Sequence, residues 1–146
     1  MFRGRFEHTI DDKGRTSIPM KFREVLSVGH DDRLIVTNFD NCLWAYPAAE
    51  WQKIEEKVAA LPQFNPQVKA LQRFFISAAC ECPIDKQGRV LLPPTLRDYA
   101  DLSRDIVMVG MVKRIEMWDK TRWESVFATS QTLVNDAPDA LAGLGL

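Results

Sequence analysis

The feature that most restricts how this chain can fold is that it is written twice. Laying residues 10–26 on residues 84–100 matches Ile10 with Ile84, Asp11 with Asp85, Gly14 with Gly88, Arg15 with Arg89, Pro19 with Pro93 and Arg23 with Arg97, with no gap. After a two-residue adjustment the match continues. Leu34, Ile35 and Val36 fall on Ile106, Val107 and Met108, Leu43 on Ile115, Tyr46 on Trp118, Trp51 on Trp123 and Ile54 on Val126. Chance likeness between short apolar segments does not reproduce glycines, prolines and charges in one order. The chain is therefore two copies of one supersecondary unit, and neighbouring copies of such a unit bury their apolar faces on each other.

Each copy has a legible order of elements. Residues 5–10 and 79–84 read as strands, and the charged turns that follow place a glycine where positive φ is needed. Residues 16–18 and 90–92 resume β-like sequence until Pro19 and Pro93 end it. The fixed φ of proline suits a helix start, which predicts short helices over 20–26 and 94–100. Strand pairs follow, 33–38 with 42–46 and 105–110 with 113–118.

A helix closes each unit. The first opens at Pro47, with Trp51, Ile54, Val58 and Leu61 as its apolar stripe against Lys53, Glu55 and Glu56. The second is entered through Asp119 as N-cap and shows Trp123, Val126 and Phe127. Between the units, Asn65 and Pro66 start a connecting helix with Val68, Leu71, Phe74 and Phe75, which should hold the halves together. Periodicity stops after Asn135, and the tail is expected to fray.

Composition excludes more than it specifies. Apolar residues make up 46% of the chain, enough for a real core, and no stretch approaches the roughly 20 apolar residues of a membrane span. The start, Met1-Phe2-Arg3-Gly4-Arg5, lacks the apolar core of a secretory signal, so a cytoplasmic protein is expected. Cys42, Cys80 and Cys82 are odd in number and suit neither a disulfide framework nor a zinc site, so reduced thiols are expected. Cys80 and Cys82 alternate along a strand, which favours packing over metal binding. With His8 and His30 as the only histidines, no phosphate loop and no nucleophile elbow, no enzyme, cofactor, metal or small-molecule substrate is expected. Both histidines read as surface or turn residues, and Trp44, Trp51, Trp118 and Trp123 as core or subunit contacts.

The net charge of −1 supplies no general attraction for nucleic acid, so any affinity must come from local placement of Lys and Arg. Residues 1–26 hold such a local surplus, with Arg3, Arg5, Lys13, Arg15, Lys21 and Arg23 against Glu7, Asp11, Asp12 and Glu24. Both turns have the form Asp-x-x-x-Arg, Asp11 to Arg15 and Asp85 to Arg89, with glycine just before the arginine. Across a tight turn the carboxylate can face the guanidinium and orient it while other donors stay free. Such a pair can also do no more than staple its own turn. Its repetition in a duplicated unit favours a surface that is used.

These segments carry a resemblance. Met1-Phe2-Arg3-Gly4, the run from Asp11 through Lys13, Gly14, Arg15, Ser17, Ile18 and Pro19 to Lys21-Phe22-Arg23, and Asp85, Gly88, Arg89, Pro93 and Leu96-Arg97 resemble the MraZ family. So do Trp51, Arg73-Phe74-Phe75, Cys80-Glu81-Cys82 and the run from Trp118 to Trp123, so the likeness covers nearly the whole chain. The resemblance implies an α+β, mostly β fold: a duplicated AbrB-like swapped-hairpin β-barrel with peripheral helices. Residues 1–62 would be the first repeat, 63–78 a helical connector, 79–134 the second repeat and 135–146 a flexible tail.

The resemblance also implies a nucleoid-associated transcriptional regulator, expected to be a repressor, of the bacterial division and cell-wall gene cluster. It would bind tandem G-rich promoter repeats in double-stranded DNA as a homo-oligomeric ring. Its DNA-binding residues would be Lys13, Gly14 and Arg15 in the first motif and Gly88 and Arg89 in the second. From the residues themselves, Arg3 and Arg5 are expected to help neutralise phosphates, and Asp11 and Asp85 to orient the two motif arginines. Gln87 stands where the first copy has Lys13, so the two turns are not equivalent. The rival expectation is an AbrB-like protein-interaction or antitoxin-type module. Such modules usually carry one motif copy and a disordered neutralising tail, whereas here the unit is doubled and the tail after Asn135 is short.

Overall fold

A computed structural model describes residues 1–146. In chain order the elements are β1 (Arg5–Thr9), β2 (Arg15–Ser17), α1 (Met20–Val28), β3 (Arg33–Phe39), β4 (Cys42–Pro47), α2 (Ala48–Ala59) and α3 (Pro66–Leu71). A single π turn, Gln72–Ile76, leads to β5 (Cys80–Pro83), β6 (Arg89–Leu91), α4 (Pro94–Tyr99), β7 (Asp105–Gly110), β8 (Ile115–Asp119), α5 (Lys120–Asn135) and α6 (Pro138–Ala142). The architecture is α+β, with strands at its centre and helices at its periphery.

The two units are interleaved. One antiparallel six-stranded sheet has the order β1-β7-β8-β4-β3-β5, and a separate two-stranded ribbon joins β2 to β6. β1 of the first unit thus pairs with β7 of the second, β5 pairs back with β3, and the equivalent strands β4 and β8 meet at the centre. The order is unchanged when the units are exchanged, so a local two-fold relation passes between β4 and β8 and again between β2 and β6.

The strands nearest that relation are apolar on both faces because both faces are covered. Leu34, Val36, Leu43, Ile106, Met108, Ile115 and Met117 point into the main core, together with Val90 of the ribbon, Ile18 just after β2 and the helix residues Phe22 and Leu96. On the other face Ile35 and Tyr46 are covered by Trp51 of α2 and by Phe75, while Val107, Val109 and Trp118 are covered by Trp123 and Val126 of α5. At the seam, buried Glu116 accepts hydrogen bonds from Arg114 Nη2 and Trp118 Nε1, both at 3.0 Å. Arg114 stacks 3.8 Å from the centroid of Trp44.

Several local expectations hold to the residue. The Asn65 side chain accepts from the backbone N–H of Gln67 and Val68, and that of Asp119 from Arg122. Burial pushes the Cys42 thiol up and that of Cys82 to about 12, so both stay protonated at neutral pH, and all three cysteines are free. Other expectations need correction. Leu61 is not on the α2 stripe: the helix ends at Ala59, and Leu61 is 41% exposed because the following Pro62 disfavours helical backbone there. The connecting helix does not run straight through its phenylalanines. It widens into the π turn, where the Ser77 N–H reaches the Gln72 carbonyl, which places Phe75 against Trp51 and Phe74 against Tyr99 of the second unit. Strand β8 starts at Ile115 and not at 113, since Val112 takes φ 68° in a tight turn that bridges to Phe2. The tail contains α6, whose residues lie largely on the surface.

Candidate nucleic-acid interface

The two Asp-x-x-x-Arg turns have the same internal bonding. Asp11 Oδ1 accepts from the backbone N–H groups of Lys13 (3.0 Å) and Arg15 (2.9 Å), while Oδ2 accepts from Arg15 Nε at 2.8 Å. In the second copy Asp85 Oδ1 accepts from Gln87 and Arg89 at 2.8 and 2.9 Å, and Oδ2 from Arg89 Nε at 3.1 Å. Each carboxylate thus spends its oxygens on the turn and on Nε, which leaves the two Nη groups at the end of each arginine free. The clamp fixes an orientation without consuming the edge that recognises a ligand.

The ribbon brings both turns to one surface. Arg15 pairs with Leu91, Thr16 with Val90 and Ser17 with Arg89. Alternation buries Thr16 and Val90 and turns Arg15, Ser17, Arg89 and Leu91 to the other, outward face. Arg15 and Arg89 are diagonal neighbours, about 7–8 Å apart at the backbone. The ribbon is tied at both corners, since the Ile18 N–H donates to the Gly88 carbonyl at 2.8 Å and the Leu92 N–H to the Gly14 carbonyl at 2.9 Å.

Both turn glycines take positive φ, and an arginine lies over each. Gly14 has φ 88° and Gly88 has φ 77°, and each faces an arginine from the other unit. A Cβ on Gly14 would sit 2.9 Å from Cζ of Arg97, and one on Gly88 would sit 2.7 Å from Cζ of Arg23. Arg23, Arg97 and Lys86 are cationic residues of this surface that the motif spacing does not single out. The alignment of Arg23 with Arg97 is nonetheless a signal of the same kind as that of Arg15 with Arg89. Lys86 replaces Asp12, so each turn carries one exposed lysine, at different positions.

The structure does not bring Arg3 and Arg5 to this surface. β1 separates them from the turn by a strand length, about 13 Å from Arg5 to Thr9. The Arg5 guanidinium lies 4.7 Å from the ring centroid of Phe127 on α5. His8 Nδ1 donates to the Ser17 carbonyl at 2.7 Å, linking β1 to β2, and His30 is exposed after α1. No group of three or more His, Cys, Asp or Glu is arranged to hold a metal, and no helix is long and apolar enough to cross a membrane.

The clamps have a defined pH window. The backbone N–H of Arg15 holds the Asp11 carboxyl below the usual value of 3.8. Burial opposes it, and the Arg15 side chain and Lys13 N–H add to the lowering. Asp85 is lowered first by the Arg89 N–H, again against burial, with the Gln87 N–H and the Arg89 side chain assisting. Because the folded pKa is depressed, the contribution of each clamp is complete above the unfolded value and disappears as pH falls through the folded one. Carboxyl NMR titration should place both midpoints below 3.8 and leave both turns unchanged between pH 5 and pH 8. A midpoint at or above the ordinary value would mean that the clamp does not form in solution.

Comparison with known proteins matches this chain twice to one family, described as "MraZ protein, putative antitoxin-like", over residues 1–74 and again over 75–143. A protein of Desulfitobacterium hafniense (strain DSM 10664 / DCB-2) named "Transcriptional regulator MraZ" is 44% identical over 147 residues, covering 100% of both chains. A protein of the same name from Limosilactobacillus fermentum is 50% identical over 125 residues, covering 86% of this chain and 85% of its own. Another, from Syntrophobacter fumaroxidans, is 42% identical over 99% of this chain and 97% of its own.

Proposed function

This chain belongs to the MraZ family, and from that premise we propose that it is a transcriptional regulator that grips double-stranded DNA with the ribbon β2–β6. One observation carries the reading: two arginines, each oriented by its own carboxylate, stand on the outward face of one two-stranded ribbon. A ribbon of this kind fits the major groove of B-form DNA, about 12 Å wide. Guanine offers O6 and N7 there as paired acceptors, which match the free edge of an arginine.

In this reading Arg15 and Arg89 address guanine. Lys13 and Lys86 at the turn tips meet phosphates and set register. Gly14 and Gly88 allow the turns to come close. Arg3, exposed beyond β1, meets a phosphate only where the duplex runs past the ribbon, and Arg5 is held over Phe127. One ribbon touches few bases, and a net charge of −1 gives no background attraction. A homo-oligomeric ring engaging tandem G-rich promoter repeats would raise avidity by about 10²–10⁴ through effective concentration. Repression of the division and cell-wall gene cluster from the nucleoid of the cytoplasm completes the reading.

The test is selection of the purified full chain on a pool of random duplexes, followed by footprinting on the winners. Enrichment of a guanine-containing element, protected in the major groove, is expected. A pool that enriches nothing over bulk DNA would overturn the reading. A pull-down from native cytoplasm that recovers a stoichiometric protein partner would favour the antitoxin-type alternative.

A further inference from the structure

The cross-unit arginines have no assigned task in the clamped turns. Arg23 leaves α1, donates its Nε to the Ile18 carbonyl at 3.1 Å and lies flat against Gly88 of the opposite unit. Arg97 leaves α4, donates its Nε to the Leu92 carbonyl at 3.1 Å and lies against Gly14. Both are half-buried, neither makes an ion pair with a carboxylate, and their Nη groups donate to nothing else in the protein.

Each end of the ribbon therefore brings together one guanidinium that is paired with a carboxylate and one that is not. At the first corner Arg15 is paired with Asp11 while Arg97, over the adjacent Gly14, makes no ion pair. At the second, Arg89 is paired with Asp85 while Arg23, over Gly88, makes none. Partial burial of a cation with no ion-pair partner costs free energy, and an anion at the corner would recover it. Two further features limit which anion. The free Nη pair presents a flat fork suited to the oxygens of a phosphate or carboxylate. The two corners also repeat about the local two-fold, so one ligand that engages both must offer two anions.

We propose that each corner is a composite DNA site made by both units, in which Arg97 beside Arg15, and Arg23 beside Arg89, take backbone phosphates while the clamped arginines address bases. This rests on the DNA-binding reading above and deepens it. The division follows from position. Arg15 and Arg89 project from the ribbon face, which in a groove meets base edges. Arg23 and Arg97 come from helices beyond the ribbon ends, where the sugar-phosphate rims pass. It also accounts for glycine in both turns on grounds other than φ: any side chain there would displace the phosphate ligand of the other unit. No single unit can build the site, because each corner needs the helix of its sister.

The test compares salt dependence with sequence preference, using a duplex selected from the random pool by the wild-type chain and a scrambled duplex of equal length. Arg97→Met and Arg23→Met keep the apolar stem over the glycine and remove the charge; Arg97→Gln and Arg23→Gln serve in the same way if a methionine variant does not fold. The slope of log affinity against log salt should become shallower by about 0.9 for each phosphate that is no longer neutralised. The wild-type preference for selected over scrambled duplex should persist, and Arg97→Lys should keep the wild-type slope. Unchanged slopes in all the neutral variants would overturn the inference, as would a vanished preference at an unchanged slope. A wild-type chain that selects no duplex would overturn the DNA reading and this inference together, so the two failures are told apart.

Discussion

Replacing Arg15 and Arg89 together by alanine is expected to lower affinity for the selected duplex between about 30-fold and about 10⁴-fold for each ribbon engaged, because each bidentate guanine contact is worth about 1–3 kcal/mol. Binding to scrambled DNA should fall far less, since Arg23, Arg97, Lys13 and Lys86 remain. The fold should survive, because both arginines point outward and their ion pairs with Asp11 and Asp85 are one-third or more exposed on the carboxylate side. Asp11→Asn, which keeps Arg15 but weakens its clamp, should produce a smaller loss. Quantitative gel shifts on the two duplexes, with circular dichroism as a check on folding, measure all of this. If the double variant binds the selected duplex as tightly as wild type, the ribbon is not the reader.

The largest expected effect on stability is at Phe22. It is 1% exposed and meets Phe2 and Phe6 edge-on at centroid distances of 5.5 and 5.1 Å. Phe22→Ala should destabilise the protein by about 3–5 kcal/mol through reduced burial and the cavity left behind. That is a large share of the 5–15 kcal/mol or so that keeps a domain folded, so the urea midpoint should drop steeply. The site would feel it indirectly, because Phe22 anchors the helix that carries Arg23 and supports the segment that pairs Phe2 with Val112. A loss below about 1 kcal/mol would mean that the two neighbouring rings collapse into the space.

Much of the local structure is legible because its cause lies within a few residues. Asn65 and Asp119 cap helices through their own side chains, and Gly14 and Gly88 mark turns because the chain must take positive φ there. The clamp from Asp11 to Arg15 spans four residues, which is why spacing alone is enough to propose it. The π turn has no such signal. Its geometry is set by the need to seat Phe75 on Trp51 and Phe74 on Tyr99, and these partners lie far off in the chain.

The candidate site divides in the same way. Arg15 and Arg89 can be named from a repeated motif, but Arg3 and Arg5 join them only by closeness in sequence, and an extended strand carries them away. Arg23 and Arg97 are visible as an aligned pair, yet nothing in either copy shows that each lies over the glycine of the other.

Sequence by itself determined the duplicated unit, the order of its elements, its caps and its clamped turns, since each depends on contacts between near neighbours. Only the tertiary structure decided that β1 pairs with β7, β5 with β3 and β2 with β6, so that both turns share one face. Two equal copies can pair within themselves or across each other with the same hydrophobic pattern. The choice is made by which arrangement covers both faces of the central strands, a property of the whole packed body and of no single segment.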